Sequence, residues 1–357
     1  MDQSNGASPA RGGRPVNIPK ARFRKLACAL LAPALLAALA ACSSGGGGGG
    51  SSSVTLALTI AAPTSAPAYI AQSLGYFKQQ GLNVKVKITP DANESLATGQ
   101  IQFGLIGVAQ VVQAASNGTP LQQVCVTQTS PDYVLAVSQK TMDAKGITSS
   151  MSLKETLTKL QGEVVTEVGG AVNPGSILLA SLLTRNGLPS DWIKVVSETS
   201  TASATASFIE GQVGVVFQPQ PEPDALLAKV PGKIIFNTAG SSLFSNLDGT
   251  PWSGIAASSS YVAANPTVIK DVCKAIGEAD NYILAHPAQA AKDIQPQMSS
   301  IPDQVIAAAL PTYKFAPNAA MSESQWDTGV KALASYGIFA QPSSSVLGSA
   351  YSTKYQS

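Results

Sequence analysis

One stretch decides the fold: residues 67–88 read Pro-Ala-Tyr-Ile-Ala-Gln-Ser-Leu-Gly-Tyr-Phe-Lys-Gln-Gln-Gly-Leu-Asn-Val-Lys-Val-Lys-Ile. Thr64 and Ser65 are suitable N-caps for a helix that begins at Pro67, because proline is favoured in the first turn. Three apolar residues fall on one face of this helix: Ile70, Leu74 and Phe77. The pattern predicts a single helix that ends at Gly81.

The residues after Gly81 change from the period of a helix to that of a strand. Apolar and polar residues alternate over 82–88, which predicts a strand with one buried face. A short helix over 93–98 and a second strand over 101–107 follow, with Gly99 between them. The stretch therefore predicts a βαβ arm whose loops reach one edge of a sheet.

Two motifs carry a resemblance to a known family: residues 68–84 of the arm, and Ser-Leu-Ala-Thr-Gly-Gln-Ile-Gln-Phe-Gly at 95–104. They resemble the nitrate/sulfonate/taurine and thiamine-precursor family of ABC transporter substrate-binding proteins. The likeness continues more weakly over four further segments: 160–165, 211–216, 222–223 and 266–287. Gln102 departs from the family pattern, which usually has an acid there.

The resemblance implies an α/β, periplasmic-binding-protein-like fold, with two lobes joined by two hinge crossings and a ligand cleft between them. It implies a monomer that captures a small polar solute and delivers it to ABC permease and ATPase subunits. The solute would be a sulfonate, nitrate, a taurine-like compound or a pyrimidine thiamine precursor. A solute sensor or adhesion lipoprotein without a transport partner is the alternative. Neighbouring permease and ATPase genes would favour transport, and a receptor kinase gene would favour sensing.

The N-terminal residues have the pattern of an export signal. Six basic residues precede an apolar run of about 16 residues, 26–41, which is shorter than the roughly 20 that span a bilayer. The run ends in Leu-Ala-Ala-Cys at 39–42, which matches a bacterial lipoprotein box. We predict a signal peptide over 1–41, lipidation of Cys42, a Gly/Ser tether over 42–53, and anchoring on the extracytoplasmic face of the cell membrane. A plain cleaved signal or an anchor helix is the alternative.

The apparent basicity of the chain belongs to this signal. Removing residues 1–41 takes away six of 23 bases and one of 21 acids, which changes the formal net charge from +2 to −3. The exported part therefore offers no basic patch for a nucleic acid. Its roughly 300 residues are enough for one or two domains with a sizeable core.

The remaining chain alternates strands and helices twice, which favours parallel sheets covered by helices. Turn residues near Lys140 and near 249–252 mark two places where the chain changes lobe. We therefore predict one lobe from residues 54–140 and 255–357 and a second lobe from residues 141–254.

Two cysteines remain in the exported body, Cys125 and Cys273. An oxidising exterior favours a disulfide between them, and two buried free thiols fit the sequence equally well. The sequence does not give the Cα separation that decides between these alternatives.

Ligands of open parallel sheets bind beyond the carboxyl ends of the strands, so the loops there supply the candidate ligand-binding residues. The glycine-rich turn at 169–176 leads into a helix start and suits either an oxyanion or a plain turn. Glu222, before Pro223, occupies a position where the family often has an acid near the cleft; it suits a ligand with an N–H group or positive charge, or acts as a solvated acid of a helix start. The candidates are Thr64, Asn93, Gly107, Gln110, Gly170, Ser176, Thr201, Gln218 and Glu222, with Tyr69, Tyr133 and Trp252 as stacking walls or core residues.

The sequence indicates no catalytic residue, metal site or cofactor. His286 is the single histidine and precedes a proline at a predicted helix end, and no nucleophile elbow, Walker loop or HExxH motif is present. Arg185, the one arginine after residue 41, falls deep in a helix, so an arginine clamp on an anion is not expected. Some relatives make a thiamine pyrimidine with histidine and a cysteine-rich iron motif, and this chain lacks both.

Overall fold

The computed structural model describes residues 52–89, 91–168, 173–198, 201–299 and 301–356. The first strand begins at Ser52, two residues inside the predicted tether. The predicted signal peptide and the predicted lipidation site Cys42 lie outside the described residues. Within the described part of the chain, no helix is long and apolar enough to cross a membrane.

Ten strands form the sheets of the described chain. They are β1 (Ser52–Leu58), β2 (Leu82–Ile88), β3 (Phe103–Gly107), β4 (Leu121–Gln128), β5 (Tyr133–Ser138), β6 (Val164–Val168), β7 (Lys194–Glu198), β8 (Val215–Pro219), β9 (Gly232–Asn237) and β10 (Ser253–Ser258).

Fifteen α-helices of the described chain cover these strands. They are α1 (Ala66–Ser73), α2 (Tyr76–Gln79), α3 (Ala92–Ala97), α4 (Val108–Ser116), α5 (Gln139–Lys145), α6 (Leu153–Lys159), α7 (Pro174–Arg185), α8 (Thr201–Ile209), α9 (Glu222–Leu227), α10 (Ser259–Ala264), α11 (Pro266–Ala285), α12 (Pro287–Ile294), α13 (Asp303–Ala309), α14 (Glu323–Ser335) and α15 (Ser344–Ala350).

The first sheet has the strand order β2-β1-β3-β10-β4. Strands β2 and β3 run parallel to β1, as the predicted βαβ arm requires, and β10 returns antiparallel between β3 and β4. The prediction of one continuous helix from Pro67 to Gly81 is wrong, because the structure has two helices there. Gly75 has a φ of 77°, a left-handed conformation that ends α1 and starts α2 in a new direction.

The second group of strands pairs in the orders β8-β5-β9 and β6-β7. Strand β6 lies beside β8. The spatial strand order β7-β6-β8-β5-β9 therefore repeats the strand order of the first sheet. The predicted lobe boundary at Lys140 is wrong for β5, because this strand pairs with β8 and β9 rather than with the first sheet. The chain therefore crosses between the sheets after Gln128, and the predicted return near residue 255 falls at β10.

The core of the first lobe is closed by α11, a helix whose buried face packs on α1 and on β4. Cys125 of β4 and Cys273 of α11 form a disulfide, with a Cα–Cα distance of 5.7 Å. Both residues are buried, so the bond joins the sheet to the helix inside the core. Helices α14 and α15 extend a second core that includes the fully buried Trp326.

Candidate functional site

A cavity of about 330 Å³ lies where strand ends from both lobes meet. The first lobe contributes residues at the ends of β1, β3 and β4, and the second lobe contributes residues at the ends of β5 and β8. Six of the lining residues mark these ends: Thr59, Gly107, Gln128, Tyr133, Pro219 and Ser253. The cavity thus occupies the place where sheets of this kind bind ligands.

Gly107 and Gln110 shape the cavity wall at the start of α4. The Gly107 amide donates to Oε1 of Gln110 over 2.7 Å, which caps the helix with a side chain from its own first turn. A Cβ at position 107 would lie 2.9 Å from that oxygen, so glycine permits the close approach. The cap is therefore part of the cavity wall.

Two aromatic rings stand at right angles in the cavity lining. The ring centres of Tyr133 and Trp252 are 6.3 Å apart with an interplanar angle of 86°, and Tyr133 also lies 5.5 Å from the buried Phe217. Such an edge-to-face pair offers one flat face to a guest ring. Both rings belong to the cavity lining, where they can contact a ligand.

Asp132 supplies a carboxyl group to the same corner. Its side chain lines the cavity and is 3% exposed, and its Oδ2 has no hydrogen-bond partner among the described residues. Burial raises the pKa of Asp132 to about 7, and the nearby charge of Glu222 adds to the rise. A ligand N–H group or cation would satisfy this oxygen.

Two further carboxyl groups lie close to the Tyr133 ring. Glu167 is 5% exposed and accepts from Nδ2 of Asn173 over 3.0 Å, while its Oε1 has no partner among the described residues. A Cβ on Gly175 would lie 2.8 Å from that Oε1 and 2.5 Å from Cε1 of the Tyr133 ring, so only glycine leaves room for both side chains.

Glu222 begins α9 and also has an unpartnered buried oxygen, Oε2. Burial is the main cause that raises the pKa values of both Glu167 and Glu222 to about 7. The wall behind Tyr133 therefore has three carboxyl groups that ionise only with difficulty.

No basic side chain balances these carboxyl groups in the described lining of the cavity, where Asp132 is the one charged residue. Arg185 lies in another groove, where its Nη2 donates to the hydroxyl of Tyr336 over 2.7 Å. The electrostatics of the cavity thus favour N–H donors and positive charge over anions.

The predicted site residues divide into three groups. Thr64, Gly107 and Gln110 line the cavity, together with the predicted stacking walls Tyr133 and Trp252. Four predicted residues lie elsewhere: Asn93, Ser176, Gln218 and Glu222. Gly170, and the side chain of Thr201, lie outside the described part of the chain.

Three predicted residues lie outside the cavity lining, and their surroundings explain why. Gln218 of β8 is 7% exposed and does not belong to the cavity lining, whereas its neighbour Pro219 does. Ser176 lies one turn into α7 and lines the groove of Arg185 instead. Tyr69 is buried in the first lobe and belongs to its core.

Sequence reasoning missed Asp132, Gln128 and Gln220, which all line the cavity. Asp132 follows Ser130-Pro131 and resembles an ordinary turn residue. Its position at the first crossing was the one available signal, because both lobes meet there.

Among the described residues, no cluster of three or more His, Cys, Asp or Glu side chains could hold a metal ion. His286 is exposed between α11 and α12, with its ring 5.2 Å from that of Tyr282. It does not line the cavity.

Two solved structures with a similar fold have the names of periplasmic binding proteins. The aliphatic sulphonate binding protein SsuA of Escherichia coli matches with a TM-score of 0.61 and 19% identity, over 81% of this chain and 89% of that protein. The nitrate-binding protein NrtA of Synechocystis matches with a TM-score of 0.64 and 14% identity, over 85% and 87% of the two chains. The fold is therefore that of the periplasmic binding proteins, which confirms the predicted fold class.

The sequence identifies the family within this class. The pattern of the family described as NMT1/THI5 like matches residues 62–290, which is more than half of the chain, and the chain belongs to that family. A 4-amino-5-hydroxymethyl-2-methylpyrimidine phosphate synthase of Candida albicans is 25% identical over 64% of this chain and 66% of its own length. YtlA of Bacillus subtilis, whose name describes a binding protein, is 23% identical over 73% and 77%.

Proposed function

We propose that this protein is the solute-binding lipoprotein of an ABC importer and that its ligand is a small, flat solute with N–H donors or a positive charge, such as an aminopyrimidine. One observation carries the proposal: Asp132 lines the cavity together with Tyr133 and Trp252, and its buried Oδ2 has no hydrogen-bond partner among the described residues. The solute-binding neighbours of the fold support the transport role, with a permease and an ATPase as partners of a monomer.

The charge of the ligand follows from the cost of burying a carboxylate. An ionised carboxyl group without a partner is expensive in a buried position, so the ligand-free protein keeps Asp132 largely protonated below about pH 7. A ligand that donates N–H groups stabilises the ionised form by pairing with it. Binding of such a ligand then releases a proton.

Nitrate and sulfonates, which the sequence analysis kept as possible ligands, match the cavity lining less well. Nitrate and simple sulfonates need N–H donors or basic side chains, and the described lining supplies amide side chains but no Lys, Arg or His. In its ionised form, above about pH 7, Asp132 would also repel them. Taurine has an ammonium group for Asp132, although its sulfonate would lack a basic partner.

A thermal-shift screen followed by calorimetry tests the proposal. The screened solutes are 4-amino-5-hydroxymethyl-2-methylpyrimidine, its analogue without the amino group, taurine, methanesulfonate and nitrate. A ligand that binds only the folded state raises the melting temperature, because it adds RT ln(1 + [L]/Kd) to the free energy of unfolding. We expect a shift with the aminopyrimidine and none with the analogue or the anions.

Asp132→Asn separates the charge from the shape of the site. The variant keeps the volume of the side chain, and we expect it to weaken aminopyrimidine binding by about tenfold or more, since hydrogen bonds to charged groups contribute about 1.5–3 kcal/mol. Thr98→Ala, on the exposed end of α3, is the control and should bind normally. Tight binding of nitrate or a sulfonate, improved by Asp132→Asn, would contradict the proposal.

Closure of the two lobes is the mechanism that we propose for capture. The chain crosses between the lobes at two places, after β4 and before β10, and a hinge at such places needs changes in only a few torsions. Small-angle scattering should show a smaller radius of gyration with the bound solute than without it. An unchanged radius at saturation would argue against closure.

An enzyme is the second candidate, because fungal relatives have the name of a pyrimidine phosphate synthase. His286 is exposed and does not line the cavity, which favours binding without turnover. Mass spectrometry after incubation with the aminopyrimidine should recover the solute unchanged. A product that accumulates with time would support the enzyme.

A further inference from the structure

A second groove, which we call the Arg185 groove, runs along helix α7. Its volume is about 560 Å³, within the range of small-molecule sites. Residues 335–337, at the end of α14, also line it, and it shares no described lining residue with the cavity. Five of its ten described lining residues are serines or a threonine, so its surface offers hydroxyl donors.

The charge of this groove comes from Arg185, which is the one charged residue in its described lining. The guanidinium forms no ion pair with a carboxylate of the described chain. Its positive charge is therefore not neutralised by a neighbouring acid. The groove favours an anion, whereas the cavity, with Asp132 in its lining, favours N–H donors and cations.

The guanidinium of Arg185 has a fixed orientation. Its Nε donates to Oγ of Ser181 over 3.3 Å, and its Nη2 donates to the hydroxyl of Tyr336 over 2.7 Å. The Tyr336 hydroxyl donates in turn to Oδ1 of Asn246. The guanidinium carbon also lies 4.8 Å from the ring centre of Tyr336 and 5.8 Å from that of Phe244. These contacts hold the charge in place before any ligand binds.

The same side chain keeps donors for a ligand. Arginine has five N–H donors in a planar fork, and the two hydrogen bonds of Arg185 leave three of them without a partner among the described residues. Such a fork matches two oxygens of a phosphate group. The hydroxyl of Ser181 accepts from Nε, so its own proton remains available to the same oxyanion.

We propose that the Arg185 groove binds a phosphate group, carried by inorganic phosphate or by a small organic phosphate. Arg185 supplies the charge and the forked donors, and Ser181 supplies a hydroxyl beside them. A phosphate group has a charge of about −1.5 to −2 at pH 7, so it gains more from one guanidinium than the monoanions nitrate and methanesulfonate do. This site lies outside the solute cavity and does not depend on which solute the cavity binds.

NMR of the protein labelled with ¹⁵N-arginine tests the site directly. The Nε–H signal of Arg185 is assigned by its absence in Arg185→Gln. We expect inorganic phosphate and glycerol 3-phosphate, titrated at constant ionic strength, to move this signal with half-saturation at about 1 mM or below. Sodium chloride and glycerol are the controls for ionic strength and for the uncharged part of the ester, and neither should move it. The relative affinities of the two phosphates show which of the two kinds of ligand the groove prefers.

Two variants measured by calorimetry with the tighter of the two phosphates complete the test. We expect Arg185→Gln to weaken binding by at least about tenfold, because it removes a charged donor pair. Ser181→Asp keeps Arg185 on its two rings but places a carboxylate four residues before it in the helix, where the two side chains pair. It should weaken binding to a similar extent.

Ser324→Asp is the matched control for added charge, because Ser324 is exposed in the first turn of α14 and does not line the groove. Its affinity for the phosphate should equal that of the wild type. The proposal is overturned if neither phosphate gives a saturable change of the Arg185 signal. It is also overturned if Ser181→Asp, folded with an unchanged melting temperature, binds as tightly as Ser324→Asp.

Discussion

The Nη2 atom of Arg185 lies 2.7 Å from the hydroxyl of Tyr336, and the guanidinium carbon lies 4.8 Å from the centre of the same ring. The other neighbour of this ring is Phe244, which stacks on it with centres 5.8 Å apart. Arg185 ends α7 of the second lobe, whereas Tyr336 follows α14 near the C-terminus. This cluster therefore ties the C-terminal helices to the second lobe.

Arg185→Lys tests that cluster. Lysine keeps the charge but loses the planar stack and the fixed donors, and the cation–π contact of an exposed arginine contributes about 0.5–1 kcal/mol. We expect a decrease of about 1 kcal/mol in the free energy of unfolding, measured with urea. Lys229→Arg, an exchange at an exposed site, is the control. Equal stability of Arg185→Lys and the wild type would show that the cluster contributes nothing.

Three buried carboxyl groups, one in the cavity lining and two near Tyr133, predict a pH dependence of stability. Burial raises the pKa values of Asp132, Glu167 and Glu222 to about 7, whereas the same groups in the unfolded chain ionise near 4. Between these values the folded state binds more protons than the unfolded state, so stability falls as the pH rises. Urea unfolding of the ligand-free protein at pH 5 and 7.5 should show this decrease.

Replacing one of these groups reduces the effect. Glu167→Gln removes one titrating carboxyl group while its neighbour Asn173 can still donate to the side-chain oxygen. We expect a smaller difference between the two pH values than in the wild type. A stability that rises from pH 5 to 7.5 would exclude the assignment of raised pKa values to this cluster.

The βαβ arm could be predicted from the sequence because its signals are local. Alternation over 82–88 and the end of the second strand at Gly107 depend on neighbouring residues, and the structure confirms both strands of the arm. The sheet to which β5 belongs could not be predicted from such local signals. Its apolar run suits either sheet, and only pairing with β8 and β9, more than 70 residues later, assigns it to the second lobe.

The candidate site was harder to predict than the fold. Gly107 and Gln110, which the sequence predicts, follow a strand end and line the cavity, whereas Asp132 and Gln220 line it through contacts between distant segments. Tyr313, whose hydroxyl donates to the main-chain oxygen of Gln220, gives no signal in the sequence, because this hydrogen bond joins distant segments of the chain. A turn aspartate and a buried tyrosine are common in any chain, so their residue types alone carry no information.

The disulfide leads to a prediction about the stability of the protein. Cys125 and Cys273 join β4 to α11 across 148 residues of sequence, and a bond of this kind typically stabilises a fold by 2–5 kcal/mol. We expect the double variant Cys125→Ala/Cys273→Ala to unfold at lower urea and to be insensitive to reductant. Mass spectrometry of unreduced peptides from the wild type should find the linked pair. Two alkylated free thiols would contradict the bond.

The lipoprotein box at 39–42 remains a prediction, since it lies outside the described residues. If Cys42 receives the lipid, Cys42→Ala should lose metabolic lipid labelling and leave the membrane fraction. Cys28→Ala, inside the predicted signal peptide, is the matched control and should keep both properties. Labelling that persists in Cys42→Ala would place the lipid elsewhere.

Gly329 connects the packing of α14 to the cavity. The helix supplies Leu333 to the cavity lining, and one turn earlier Gly329 packs on the segment that enters β10. A Cβ at position 329 would lie 3.1 Å from Cα of Thr250 and closer still to Cδ of Pro251. Neither atom belongs to a flexible side-chain end, so the helix must move to accept a methyl group.

We therefore expect Gly329→Ala to lower the free energy of unfolding by about 1–3 kcal/mol, as overpacking does. Gly348→Ala in α15 is the matched control, since a Cβ there has open space on an exposed helix position. Alanine is favoured over glycine in a helix by up to about 1 kcal/mol, so this control should gain stability. Urea unfolding of both variants should thus give changes of opposite sign. If Gly329→Ala gains as much as Gly348→Ala, α14 does not pack on Thr250 and Pro251, and Leu333 has no fixed place in the cavity wall.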